Sequence, residues 1–211
     1  MANPVAVKPV WDTCDNNGCI GIRLPEAHQC LAHCTGPEQE AALKLISRTG
    51  VIDARGVPIT RTLLERVLKS APRDNHGDPL FKDASFQRVT FSGDAVFSKV
   101  KFDKASFSNA TFEGAAAFDR ATFLGYATFA DATFVGAANF SQVGFEGLAW
   151  FDRVIFNGAA LFLHAAFPKE CRPRQSTGPS ASRSSIGLRG HVSGRCDNKG
   201  AVRPRLHLTR L

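Results

Sequence analysis

Residues 121–151 read ATFLGYATFADATFVGAANFSQVGFEGLAWF, and the spacing of Phe in this stretch decides the fold. Working outward from it, all 17 Phe of the 211-residue chain lie between Phe81 and Phe167, and every step between neighbours is five or six residues. From Phe86 onward, Ala or Val stands two residues before each Phe, from Ala84 and Val89 to Ala160 and Ala165. Phe81 has Pro79 at that position and marks the entry. A period near five fits neither a helix at 3.6 residues per turn nor a strand alternating at 2. It fits a chain that turns a corner in each unit and sends one large and one small side chain inward. Four such sides close a square coil.

The six-residue steps test this reading. They follow Phe91, Phe112, Phe134 and Phe156, and then Phe123 and Phe145. With four sides per coil, the first four fall on one wall and the other two on the opposite wall. The columns expected to stack are 81/102/123/145/167, 86/107/129/151, 91/112/134/156 and 97/118/140/162, about 4.8 Å apart at the spacing of hydrogen-bonded strands. Each long step carries Gly two residues after its Phe: Gly93, Gly114, Gly125, Gly136, Gly147 and Gly158. These are expected to serve bulges that need positive φ.

This pattern resembles the bacterial pentapeptide-repeat proteins, in a Phe-rich form with regular Gly insertions. The resemblance implies an all-β solenoid, a right-handed quadrilateral β-helix of about four coils over residues 81–167. It also implies a non-enzymatic scaffold or protein-interaction role. Some family members mimic DNA and act on topoisomerases, which implies an acidic, dimeric rod. Residues 81–167 carry 7 Lys+Arg against 8 Asp+Glu, so that role stands only as an alternative.

A solenoid needs caps. Residues 37–80 are expected to form a helical N-terminal cap. Thr35-Gly36-Pro37-Glu38 opens a helix in capping-box spacing, with Ala41, Leu45 and Ile46 on its apolar face and Gly50 as its stop. VIDARGV follows as a short strand or degenerate first coil. Thr60 then starts a second amphipathic helix carrying Leu63, Leu64, Val67 and Leu68, ended by Pro72.

Residues 1–36 form a Cys-rich module with the spacing Cys14-x4-Cys19-x10-Cys30-x2-His33-Cys34. Thiolates and imidazole suit a tetrahedral structural zinc. The expected ligands are Cys14, Cys19, Cys30 and His33, with Cys34 as the alternative fourth. Disulfides and plain buried thiols are the competing readings. The module also resembles short Cys-rich segments that precede the repeats in some bacterial family members. A zinc-dependent nucleic-acid or protein adaptor is therefore a further alternative function.

At the other end, outward positions turn apolar in the last coil. Leu148, Trp150, Ile155, Leu161 and Leu163 are the candidate interface, for a protein partner or for a homodimer through the C-terminal coil. Residues 168–211 hold 10 Lys+Arg against 2 Asp+Glu, which places the chain's whole positive excess there. Their Arg, Ser, Gly and Pro predict a basic disordered tail. The same mixture is what an out-of-frame reading of GC-rich coding sequence tends to produce. Nucleic acid is expected as a partner only through this tail, because the body is neutral and no aromatics interleave the tail's arginines.

The longest apolar run is too short to span a bilayer, and the first residues lack the apolar core of an export signal, so the expected place is the cytoplasm. No nucleophile–base pair, phosphate loop or dinucleotide fingerprint appears, and catalysis is not expected. Asp53 and Arg55 read as a salt bridge in the cap.

Overall fold

The computed structural model describes residues 9–25, 27–34 and 36–167, together with the strands Gly190–Ser193 and Arg205–Leu206. Between Leu80 and Leu161 the chain makes a strand of two or three residues in every repeat. Each strand pairs in parallel with its equivalent one coil away, and the result is four sheets. Each sheet is a wall, named here by its first Phe. The Phe97 wall shows the rule: Ala95–Val96, Ala116–Ala117, Ala138–Asn139 and Ala160–Leu161 stack in order, with Ala on Ala at every step.

Inside, all four expected columns form. Successive rings in a column lie nearly parallel, with centroids from 4.5 Å (Phe112–Phe134) to 5.7 Å (Phe81–Phe102) apart. That range brackets the strand spacing that sets the rise. Across the tower the Phe86 and Phe97 columns meet edge to face, as in Phe118–Phe129 at 5.5 Å and 89°. The offset stack and the T-shape are the two arrangements an aromatic quadrupole favours. The twelve Phe from Phe81 to Phe140 are all fully buried.

The wall assignment of the inserted residues holds, but their glycines do a different job from the one expected. Only Gly93 has positive φ, at 89°. In Gly136 a Cβ would lie 2.4 Å from the carbonyl oxygen of Gly114. Gly114, Gly125, Gly147 and Gly158 face the coil below in the same way. Glycine is there because the backbones of successive coils touch. Positive φ falls instead on the other two corners, two residues after Phe, at Arg88, Asn109, Asp131 and Arg153 and at Lys99, Arg120, Gln142 and His164.

The solenoid begins earlier than Phe81. Val51–Asp53 pairs in parallel with Asp83–Ser85 on the Phe86 wall, and Pro58–Thr60 with Thr90–Ser92 on the Phe91 wall. Ile52 and Ala54 occupy the inward positions of Ala84 and Phe86; Val57 and Ile59 occupy those of Val89 and Phe91. Next in the chain comes helix α2, Arg61–Ser70, which packs against Ala95–Val96 at the N-terminal edge of the Phe97 wall. Leu80–Phe81 then starts the Phe81 wall. Residues 51–81 thus make one complete turn in which a helix replaces a strand. Thr60 caps α2 as expected, its hydroxyl accepting from the Leu63 amide at 3.2 Å.

Helix α1, Pro37–Thr49, packs on α2 and on Val51–Asp53. Gly50 stops it in the left-handed conformation at φ 68°. Its start differs from the expected capping box: Gly36 is the N-cap with no side-chain cap bond, and Thr35 lies outside the described residues. Its buried face also differs. Leu43 and Ile46 are buried, one turn apart, whereas Ala41 is exposed and Leu45 is 51% exposed.

At the C-terminal end, Gly190–Ser193 pairs antiparallel with Val154–Phe156 and is itself joined by Arg205–Leu206. These two strands lie within the segment expected to be disordered. The rest of that segment is outside the described residues.

Candidate metal centre and outward surface

The Cys-rich segment folds as two tight turns against the first half-coil. The Cys19 amide donates to the Asn16 carbonyl at 3.0 Å, with Gly18 at φ 76° supplying the turn. The His33 and Cys34 amides both donate to the Cys30 carbonyl, at 3.0 and 2.9 Å. A bridge between Thr13 and Ile22 closes the loop around the first two cysteines.

These turns bring Cys14, Cys19, Cys30 and His33 together, with all four ligand atoms within 4.8 Å of one another, close enough to hold a metal ion. Cys14 Sγ lies 3.3 Å from His33 Nδ1, Cys30 Sγ lies 3.5 Å from the same nitrogen, and Cys19 Sγ lies 3.8 Å from Cys30 Sγ. All three thiols are free. Cys34 turns away and donates to Glu38 Oε2 at 3.1 Å. Of the two candidates for the fourth position, His33 is the one in the cluster.

The thiols differ in proton affinity. Burial pushes Cys30 up to about 12, with the neighbouring sulfurs of Cys19 and Cys14 adding to it against backbone hydrogen bonds at Ala32 and His33. Burial also raises Cys19. For Cys14 burial works upward, but hydrogen bonds from the Asn16 and Cys30 backbone and from His33 outweigh it and bring the thiol down to about 7. Outside the cluster, burial and then the Glu38 carboxylate raise Cys34 to about 11.

The cluster is anchored to the solenoid. The Ile22 amide donates to the Arg55 carbonyl at 2.7 Å. Trp11 donates from Nε1 to the Ile20 carbonyl, and the Arg55 guanidinium lies 5.0 Å over its ring. Asp53 and Arg55 form the expected salt bridge at 2.7 Å. Cys14, Cys30 and Leu31 belong to the same buried core as Ile52, Val57 and the Phe columns.

On the outside, the five residues expected as an interface sit on three walls of the last coil. Trp150 is on the Phe86 wall, with Leu148 at the corner leading into it; Ile155 is on the Phe91 wall, and Leu161 on the Phe97 wall with Leu163 beyond it. Leu148 and Trp150 are half-buried; Leu163 is 61% exposed. Sequence reasoning missed Tyr126, a neighbour of Trp150, and Leu124 two residues before it. The Tyr126 ring lies 6.1 Å from the Trp150 ring, and Leu124 and Tyr126 are both exposed. Both flank an inserted glycine, Gly125, one coil below Gly147 and Leu148, and that register was the available signal.

Residues 79–122 and 118–166 match the family model described as pentapeptide repeats (9 copies). The β-helix is a pentapeptide-repeat domain. Its family model covers the coils and leaves the metal centre, α1 and α2 outside the matched residues. Among curated proteins and among solved structures, none matches the chain. Among the described residues, no helix is long and apolar enough to cross a membrane.

Proposed function

We propose that this pentapeptide-repeat domain is a non-catalytic scaffold that binds a partner protein through the corner formed by Leu124, Tyr126, Leu148 and Trp150. The Tyr126–Trp150 pair carries this reading. Tyr and Trp are enriched where protein surfaces bind one another, and a clustered apolar patch on a protein surface is the usual mark of such a site. The corner is held rigidly, because Ala127 and Ala149 beside it are paired in the sheet and pointed into the Phe core.

The test is a pull-down from cells of the source, comparing the wild-type chain with a Tyr126→Glu/Trp150→Glu double variant and with Val135→Glu on another wall. Proteins retained by wild type and Val135→Glu but lost from the double variant support the corner. An identical set on all three overturns it. Leu161 and Leu163 favour a second reading, a seam between two copies at the last coil. A monomer at high micromolar concentration in ultracentrifugation removes that reading.

The Cys14, Cys19, Cys30 and His33 cluster serves this scaffold as a structural zinc site. Tetrahedral zinc with Zn–S of about 2.3 Å and Zn–N of about 2.0 Å gives S–S edges of ~3.8 Å and S–N edges of ~3.5 Å. The 3.8 Å and 3.5 Å separations at Cys30 match those edges. Four protein ligands leave no open position for a substrate, so the ion would hold the cap in place rather than catalyse. Elemental analysis of the purified protein should find one zinc per chain. Less than about 0.2 rejects the site, since structural centres bind tightly.

A further inference from the structure

We propose that Cys19 is an oxidation site, at which a hydroperoxide converts the metal centre into a Cys19–Cys30 disulfide and expels the ion. The inference rests on the zinc reading above and adds a chemical fate to it. Three features of the cluster support it.

The first is access. Cys14 and Cys30 are buried at 5% and 0% exposure, whereas Cys19 is only half-buried. It sits on a turn whose other residues, Asn16, Asn17 and Gly18, are all exposed. An oxidant arriving from solvent meets this sulfur first. The second is a resolving partner. Cys30 Sγ lies 3.8 Å from Cys19 Sγ, so a disulfide of about 2.0 Å needs the two sulfurs to close by under ~2 Å. Gly21 keeps the space beside Cys30 Sγ free of a side chain, since a Cβ there would lie 3.0 Å from that sulfur. The third is selectivity. Cys34 is fully buried and hydrogen-bonded to Glu38, so it neither meets the oxidant nor presents a thiolate.

A metal-held sulfur is a thiolate, which is the reactive form. The Cys19 thiolate attacks one peroxide oxygen, an S–O bond forms, the O–O bond breaks, and the departing oxygen leaves as water after taking a proton. The Cys30 thiolate then attacks Cys19 Sγ, the S–S bond forms, and the sulfenic oxygen leaves as a second water with a second proton. Two thiolates have lost two electrons and one peroxide has gained them. Cys14 and His33 alone cannot retain the ion at structural affinity. Cys19 Sγ, now part of the disulfide, is the sulfur to which the Gly21 amide donates, at 3.3 Å, next to the Ile22–Arg55 bond. Oxidation is therefore felt at the junction between cap and solenoid.

The experiment uses the full chain, loaded with zinc and measured for metal content, then treated with a few equivalents of hydrogen peroxide in the presence of a chromophoric chelator. The expected result is release of the single zinc, with peptides 1–23 and 24–44 joined in a tryptic digest and fragment spectra that place the bond between Cys19 and Cys30. Thiol reductant plus zinc should restore the loaded form. A Cys34→Ser variant should release zinc at the wild-type rate with the same linkage. A chain that cannot be loaded with zinc sinks both the zinc reading and this one. A loaded chain that keeps its zinc under peroxide, or forms its disulfide through Cys14 or Cys34, overturns this inference alone.

Discussion

Phe112 and Phe134, equivalent residues in successive coils, stack with centroids 4.5 Å apart and planes 3° from parallel, the closest ring pair in the tower. Phe112 is also held by Phe91 below at 4.7 Å and by Phe118 edge-on at 5.8 Å. A side chain fixed on three sides by other rings leaves a hole that cannot collapse. Phe112→Ala should therefore cost about 3–5 kcal/mol. Chemical denaturation measures this, and a loss under ~1 kcal/mol is incompatible with an inward, stacked column.

The columns were legible in the sequence because each repeat writes its inward residues at fixed local offsets, so no long-range information is needed to place them. The half-coil at residues 51–60 was less legible because Ala54 and Ile59 stand where Phe stands later; only the two-residue spacing of Ile52/Ala54 and Val57/Ile59 survives. The positions of the six inserted glycines gave the correct walls, yet their purpose depends on what lies one coil away, which a local reading does not see. The metal cluster was legible as a set. The choice between His33 and Cys34 was not, because it depends on α1 bringing Glu38 to the Cys34 thiol. Tyr126 escaped notice because it becomes a neighbour of Trp150 only when the coils stack.

Coil contact through glycine gives a second test. A methyl group at Gly136 would meet the Gly114 carbonyl carbon and oxygen at 2.6 and 2.4 Å, and neither side can yield without parting two coils. At Gly144 a methyl group would meet only the Thr122 side chain, at 3.8 Å and beyond. Gly136→Ala should cost about 1–3 kcal/mol or more as overpacking, while Gly144→Ala should be neutral or slightly stabilising through the unfolded state. Thermal melts of the two single variants decide it. Equal melting temperatures would mean that the glycine column is dispensable.

Asp74, in the loop that closes the first turn, accepts a hydrogen bond from Lys101 on the Phe81 wall and from the His76 and Asp78 amides. The bond from Lys101, chiefly, holds its carboxyl down at about 2, with the two amides assisting against burial. A carboxyl depressed in the folded state stabilises the fold above its unfolded pKa of about 3.9, and that stabilisation is lost as pH falls through the folded value. The melting-temperature gap between wild type and Asp74→Asn should be constant above about pH 5 and narrow between about pH 4 and 2. A gap that does not change with pH would show that the contact adds nothing electrostatic.

The metal centre makes the sharpest demand on pH. Without a metal, Cys30 sits at about 12 and Cys19 is raised above the usual thiol value, so both carry protons throughout the neutral range. An ion entering the site must displace both, whereas Cys14, at about 7, is already partly ionised there. Each proton displaced makes apparent affinity rise tenfold per pH unit, so two thiols give about 100-fold per unit between roughly pH 7 and 8, steepening below as Cys14 joins. Competition against a chelator of known pH-corrected affinity, at half-unit steps from pH 6 to 8, reads that slope directly. A slope near tenfold would mean that only one of Cys19 and Cys30 gives up its proton to the ion, and the four-ligand cluster would then have to be redrawn without the other.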